Sequence, residues 1–262
     1  MKKILVLGLG LCACVASASL KMDGNAAVAF FPAPLADTDT VLSVPFTDCL
    51  TDGDIALDKL VSTSTLAGSD TASEADQLVL FKDGVYSYYY LNAAKTWVAL
   101  KTTVAGADST APTAIAEQKL PLGYAVWLKK IGANTTTAIM KGRLSETPVT
   151  IEIVPGMNLV GNTLFADLDL NTVPATIWPA DVEKDEILVS EVSATAAGGY
   201  ATYRYHEGKW MKRTLDKSGT IPGTSIPLTK EVWSDIGTIS AGTGFWYRRN
   251  GSTSFVFQPI AQ

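Results

Sequence analysis

The chain has 262 residues, 47% of them hydrophobic and 18% charged, which is enough to bury a sizeable core. Its net charge of −5 arises from 21 basic and 26 acidic residues with no basic block, so the cationic stripe that nucleic-acid binding requires is missing. One histidine and three cysteines leave little material for a histidine-dependent triad or a zinc centre.

The chain opens with Met1-Lys2-Lys3, an apolar run from Ile4 to Val15 and then Ala16-Ser17-Ala18. Charged start, short apolar middle and A-x-A site together predict a secretory signal peptide over 1–18, cleaved after Ala18. A lipoprotein signal ending at Cys14 and an uncleaved anchor are the weaker alternatives. Ordinary cleavage removes Cys12 and Cys14 and leaves Cys49, so no internal disulfide forms. No later stretch reaches the roughly 18 to 20 continuous apolar residues of a membrane-spanning helix. The expected location is therefore secreted or cell-surface, with no transmembrane span in the mature chain.

Strand signals dominate from there on. Ala26 to Phe31 is an apolar, uncharged run, expected to complete its own domain, with docking on a neighbouring subunit as the sharper alternative. Asp54 to Val61 fits a short helix, and Ser62 to Ala75 reads as a loop. Leu78 to Phe81 and Val85 to Tyr90 flank Asp83-Gly84, the pair that suits a tight hairpin. Alternation places Tyr86, Tyr88 and Tyr90 on one face. Asn92 to Lys95 turns the chain into Trp97 to Leu100, which makes an antiparallel meander. After a low-complexity loop from Val104 to Gln118, Tyr124 to Leu128, a Gly132-Ala133-Asn134 turn and Thr135 to Met140 predict a closing hairpin.

The second half repeats this plan. Gly123, Trp127 and Gly132 return as Gly242, Trp246 and Gly251 at unchanged spacing. Asp76 returns as Asp185, Tyr88-Tyr89-Tyr90 as Tyr203-Arg204-Tyr205, and Trp97 as Trp210, with drifting offsets that reflect loops of altered length. Gly198-Gly199 and His206-Glu207-Gly208 punctuate the second meander. Leu215 to Pro227 reads as a loop and Pro227 to Ile236 as a helical turn or two. Phe245 to Arg248, Asn250-Gly251 and Ser254 to Phe257 predict the second closing hairpin, its ends guarded by Arg248 and Arg249. The fold class is mainly β: two similar antiparallel domains, sandwich or barrel-like, from an internal duplication, at 19–147 and 148–262.

What recurs is framework and not reactive groups. His206 sits at a predicted turn, and its counterpart region offers no base. Asp76 and Asp185 precede strands and are expected as solvated strand-end residues, as are Asp48, Asp52 and Asp54. Two spaced carboxylates would suffice for a glycosidase, so a carboxylate-dependent hydrolase stays as a third reading. Asp167-Leu168-Asp169-Leu170-Asn171 begins like a calcium loop but has Thr172 and Trp178 where glycine and a bidentate glutamate belong. A looser calcium site among Asp37, Asp39 and the Asp48 cluster stays open. Neither a metal nor another cofactor is called for. Trp97 with Trp210 and Trp127 with Trp246 recur and are expected in the core. Trp178 and Trp233 lack counterparts and lie in predicted loops, which makes them the candidates for ligand binding.

Gly156-Met157-Asn158-Leu159-Val160-Gly161-Asn162, with Gly242-Thr243-Gly244-Phe245-Trp246-Tyr247, resembles a module of secreted bacterial proteins whose pattern runs Gly-Trp-Asn-Leu, Gly-Asn-Pro and Gly-x-Gly-Phe-Trp. Met157 and Thr163 depart from it. With Thr40 to Pro45, the chain resembles a family of exported, internally duplicated proteins of the Verrucomicrobia and their relatives. That resemblance carries over no activity and no catalytic residues. The reading is a non-catalytic, secreted β protein, a structural or interaction subunit partnered by itself or by cell-envelope components; the alternative is a carbohydrate-binding module that uses exposed aromatics on glycans.

Overall fold

The computed structural model describes residues 19–23, 26–34, 39–48, 53–82, 84–100, 118–131, 137–143, 149–164, 166–191, 199–220, 227–234 and 237–258. The predicted signal peptide, all three cysteines, Asp37, Asp52, most of the 104–118 loop, the 132–134 turn and the 144–148 boundary lie outside these residues.

The first half contains β1 (Ser19–Asp23), β2 (Ala26–Pro34), β3 (Asp39–Ser43), β4 (Ile55–Ala56), helix α1 (Leu57–Leu60), β5 (Gln77–Lys82), β6 (Val85–Leu91), β7 (Trp97–Leu100), β8 (Lys119–Leu120), β9 (Ala125–Lys129) and β10 (Thr137–Arg143). The second contains β11 (Ile151–Ile153), β12 (Gly156–Gly161), β13 (Leu168–Asp169), β14 (Glu186–Glu191), β15 (Gly199–His206), β16 (Lys209–Thr220), β17 (Pro227–Ser234), β18 (Thr238–Ile239), β19 (Gly244–Arg249) and β20 (Phe255–Phe257). One main sheet runs β3-β9-β5-β6-β7, and the other β12-β19-β14-β15-β16-β17. The two orders correspond strand for strand, the second with one added edge strand. The small pairs correspond too: β4-β8 with β13-β18, and β2-β10 with β11-β20. Every pairing named here is antiparallel and no sheet closes into a barrel, so the mainly β expectation holds.

Register makes the correspondence finer. Val79 pairs with Trp127 as Leu188 pairs with Trp246. Tyr88 pairs with Leu100 as Thr202 pairs with Arg213. This corrects the sequence alignment by one residue: Tyr89 matches Tyr203, and Tyr90 matches Arg204. The slip is natural, because tyrosines at three successive positions can be matched to Tyr203 and Tyr205 in more than one way.

The closing hairpins do not form. β19 pairs with β12 on one side and β14 on the other, and β9 with β3 and β5. Both edges of these strands are occupied, so β20 and β10 cannot pair with them and cross to a second layer, where they meet β11 and β2. Ala26 to Phe31 lies in β2, between β1 and β10, and completes its own unit's sheet. Its counterpart in the second unit is β11, which pairs with β20 as β2 pairs with β10. Two further corrections concern 215–236. β16 runs on to Thr220 through an irregularity between Asp216 and Gly219, and β17 begins at Pro227. A glycine at a bulge and a proline on an edge strand are both compatible with a sheet, and the turn reading took them for breaks.

Inner positions of each main sheet pack on the second layer and on the long connection that precedes the sheet's third strand. In the first unit Leu42, Leu78, Leu80, Tyr89, Leu91, Trp97 and Leu128 meet Met140 of β10 and Phe46, Leu57, Leu60 and Leu66 of the connection. The loop from Ser62 to Ala75 is tied in place: Ser69 N–H donates to Leu91 O at 3.0 Å, and Lys95 Nζ donates to Leu66 O. In the second unit Ile187, Tyr203, Trp210, Phe245 and Tyr247 meet Ile151, Ile153, Phe257 and the connection residues Leu168, Leu170, Val173, Trp178 and Val182.

A third apolar cluster joins the units: Val41, Ala125, Leu159 and Trp246, with Phe81, Trp127 and Leu188 against it. The junction is reciprocal. Ser43 N–H donates to Gly242 O at 2.9 Å, and Gly161 N–H donates to Gly123 O at 2.8 Å. Gly123 and Gly242 have φ of 93° and 69°, which favours glycine.

Candidate binding surfaces

The aspartates that recur are not solvated. Asp76 and Asp185 are both fully buried at the entry of the third strand of their sheets. Asp76 Oδ1 accepts Ile131 N–H at 3.0 Å, and Asp185 Oδ1 accepts Asn250 N–H at 2.8 Å, so each aspartate pins the chain as it leaves β9 or β19. A buried carboxylate is tolerated when it is hydrogen-bonded or paired with a cation. Asp76 Oδ2 also accepts Ala67 N–H at 2.8 Å. Asp185 instead receives Arg249 Nη1 at 2.9 and 3.0 Å and the Tyr247 hydroxyl at 2.9 Å.

Arg249 is itself fully buried. Its Nη2 reaches Asp181 at 2.6 Å, and its Nε donates to Thr253 O at 2.9 Å. Its expected role as a charged edge guard is therefore corrected to that of an internal clamp. The Arg249 hydrogen bond holds the Asp181 carboxyl below its ordinary range. Burial, reinforced by the charge of Asp185 and the hydrogen bond to it, pushes the Tyr247 hydroxyl far up. Asp76 and Asp185 thus serve to hold the fold.

Asp54 is exposed, as expected, while three other acids have partners. Asp48 pairs with Lys59 at 3.4 Å, Asp167 Oδ1 accepts Ala241 N–H at 3.0 Å, and Asp169 Oδ1 accepts Asn171 N–H at 2.9 Å. Among the described residues no group of three or more His, Cys, Asp or Glu side chains is placed to hold a metal ion. Nor, among them, is any helix long and apolar enough to cross a membrane.

Trp178 and Trp233 are not brought together. Trp178 is 8% exposed, stacked on Phe257 at 5.6 Å and edge-on to Trp210 at 5.3 Å. Its connection folds over the inner face of the main sheet, and the ring packs against Phe255 and Phe257 of β20, so it presents no platform to a ligand. Trp233 lies in β17, partly exposed, and stacks on His206 at 4.4 Å and 10°. His206 ends β15, before a two-residue turn in which Glu207 and Gly208 have φ of 50° and 81°.

The outer faces of the main sheets carry what the inner faces do not. In the first unit Tyr86, Tyr88 and Tyr90 share the outer face with Gln77, Val79 and Trp127, as alternation predicts, while Tyr89 points inward and is buried. The Tyr86 and Tyr88 rings are 6.3 Å apart, and Phe81 links Tyr86 at 4.9 Å to Trp246 at 5.0 Å. Burial, with the neighbouring Tyr88 acting in the same direction, raises the Tyr86 hydroxyl above its ordinary range.

A groove of about 650 Å³ lies where the units meet, with Phe81, Leu122 and Tyr124 from the first and Val154, Met157 and Leu159 from the second among its walls. Among the described residues that line it, Glu152 and Tyr124 are the ionisable ones. Val154 and Met157 are 43% and 36% exposed. Sequence reasoning missed this groove because its walls come from segments far apart in the chain. The available signal was Met157, an apolar residue on a strand where the sequence resemblance has tryptophan. Comparison with family models, curated proteins and solved structures finds no match to this chain.

Proposed function

We propose that the chain is an exported, non-catalytic β protein that serves as an interaction subunit at the cell surface, with the groove between its units as the docking site. The observation that carries this reading is a groove of mixed lining, with apolar Val154 and Met157 exposed in its walls, at the junction of two units whose buried carboxylates are spent on holding the fold. Concave, mostly apolar sites at domain junctions are favoured binding places. The test is co-sedimentation of the purified chain with cell-envelope fractions. The unsubstituted chain should sediment with the envelope; Met157→Arg should stay in solution while melting at the same temperature. Release of soluble sugar or peptide from the envelope by the purified chain would overturn the non-catalytic reading.

A second reading is favoured by the tyrosine face. Rings of Tyr86, Tyr88 and Tyr90 on one side of β6 suit stacking against sugar rings, so a neutral glycan is the alternative ligand. Tyr88→Ala should abolish retention on such a polysaccharide and leave envelope sedimentation through the groove intact.

A further inference from the structure

Equivalent outer-face positions of the two units carry different chemistry. Register matches Gln77 with Glu186, Lys129 with Arg248, Tyr90 with Arg204 and Leu100 with Arg213. The first unit demonstrates that this sheet needs no charge cluster at these places. The second unit builds one. Arg204 donates from Nε at 2.8 Å and from Nη2 to Glu186 Oε1, and Arg248 Nη1 donates to Glu186 Oε2 at 2.7 Å. Arg213 pairs with Glu231 at 3.1 Å. Lys209 pairs in register with His206 and lies on the same face, as does Trp233, which is opposite Arg213.

The balance of charge decides what such a face attracts. Glu186 is almost enclosed, and its two oxygens are shared between two guanidinium groups. Burial alone would raise its carboxyl, but the Arg204 hydrogen bond and the charges of Arg204, Arg248 and Arg213 outweigh that and hold it below its ordinary range. Arg213 is offset by Glu231. Set against Glu186, Glu207 and Glu231, the cations Arg204, Arg213, Arg248 and Lys209 leave the face positive by one charge, in a chain whose net charge is −5. Arg204 and Arg248 keep more than a third of their side-chain surface in solvent, so their unused N–H donors are reachable. Beside them the Trp233 and His206 rings stack face to face, which leaves one outward ring face to each.

We propose that this face binds an anionic glycan, a polysaccharide bearing carboxylate or sulfate groups. The guanidinium fork matches an acid group in two-point contact, and the Trp233–His206 stack suits the flat face of an adjoining sugar. Glu207 and Glu231 beside the patch disfavour a continuous phosphate backbone, whereas an acid group on every sugar or two can be seated between them. The surface is separate from the groove and does not depend on it.

The experiment is titration calorimetry of the full chain against polygalacturonate, dextran sulfate, a neutral glucan and single-stranded poly(dT). Binding to at least one acidic polysaccharide is expected, and the carboxylate and sulfate arms identify the acid group. Affinity should fall as NaCl rises from about 50 to about 200 mM. Arg248→Gln and Trp233→Ala should each weaken binding roughly tenfold, the scale of one charge-assisted contact or stacked ring, in variants whose circular dichroism shows the fold retained. Met157→Arg in the groove and Tyr88→Ala on the first unit should have no effect, which separates failure of this site from failure of the other readings. Absence of binding to both acidic polymers, equal affinity for the neutral glucan, tighter binding of poly(dT), or binding indifferent to Arg248→Gln would each overturn the proposal.

Discussion

Arg249 and Asp185 sit at the corner where β19 ends and the chain crosses to its second layer, and both are fully buried. Removing one member of a buried pair strands the other charge, so Arg249→Met should destabilise by about 3 to 5 kcal/mol in urea unfolding. Adding Asp185→Asn to that variant should recover part of the loss, and a double variant no better than the single one would mean that the pair is not the source. Gly251 explains itself here: a Cβ would run into the Arg249 guanidinium, so Gly251→Ala should destabilise as well, read by the same unfolding curves. Glu186 sets a pH dependence. Its carboxyl is held below the ordinary glutamate value of 4.5, so its contribution is present above that pH and is lost as pH falls through the lower folded value. Glu186→Gln should therefore flatten the acid limb of a melting-temperature profile below about pH 4.5 and leave its shape near neutrality unchanged. Little of this is legible in sequence. A carboxylate is read by default as exposed, and Asp185 finds its arginine only because β14 and β19 become neighbours. Trp178 misled for the same reason: an apolar residue in a connection cannot be told from a ligand platform until it is known that the connection covers an inner face.

At the level of strands, local chemistry wrote most of what formed. Lys82 stands opposite Val85 with Gly84 at φ 78°, and Asn92 to Lys95 turns with Lys95 at φ 62°. The four-residue α1 falls inside the stretch expected to be helical. Strand partners were the illegible part, because a hairpin and a crossing between layers begin with the same glycine-containing turn, and only the occupied edges of β9 and β19 decide between them. Close approach at the junction is a property of these strands too. A Cβ on Gly244 would stand 2.5 Å from both Ala125 Cβ and Val41 Cγ1, and one on Gly161 would stand 2.5 Å from Tyr124 O. Gly244→Val is expected to cost about 1 to 3 kcal/mol by overpacking, measured by chemical unfolding. Trp246→Ala removes a buried ring from the same place and should cost about 3 to 5 kcal/mol.

The whole molecule places a continuous apolar junction between two units that each have a core of their own. Phe81, Trp127, Val41 and Ala125 cover Leu159, Leu188 and Trp246, and backbone hydrogen bonds cross the junction in both directions. Equal spacing of Gly123, Trp127 and Gly132 with Gly242, Trp246 and Gly251 made the likeness of the units readable in advance. Their mutual packing was not legible there, since outer-face residues such as Val79 and Leu188 look like any alternating strand residue. Burial of apolar area is worth roughly 25 cal/mol per Å², so separating the units should cost both stability and solubility. A segment spanning 148–262, expressed alone, exposes Leu159, Leu188 and Trp246 together. It should melt below the full chain and associate in light scattering as concentration rises, whereas Trp246→Ser in that segment should reduce the association. The full chain, by contrast, should unfold in a single transition seen equally by Trp fluorescence and circular dichroism. Two resolved transitions, with the separate segment monomeric and as stable as its transition in the full chain, would show that the units are only tethered and that the groove between them has no fixed walls.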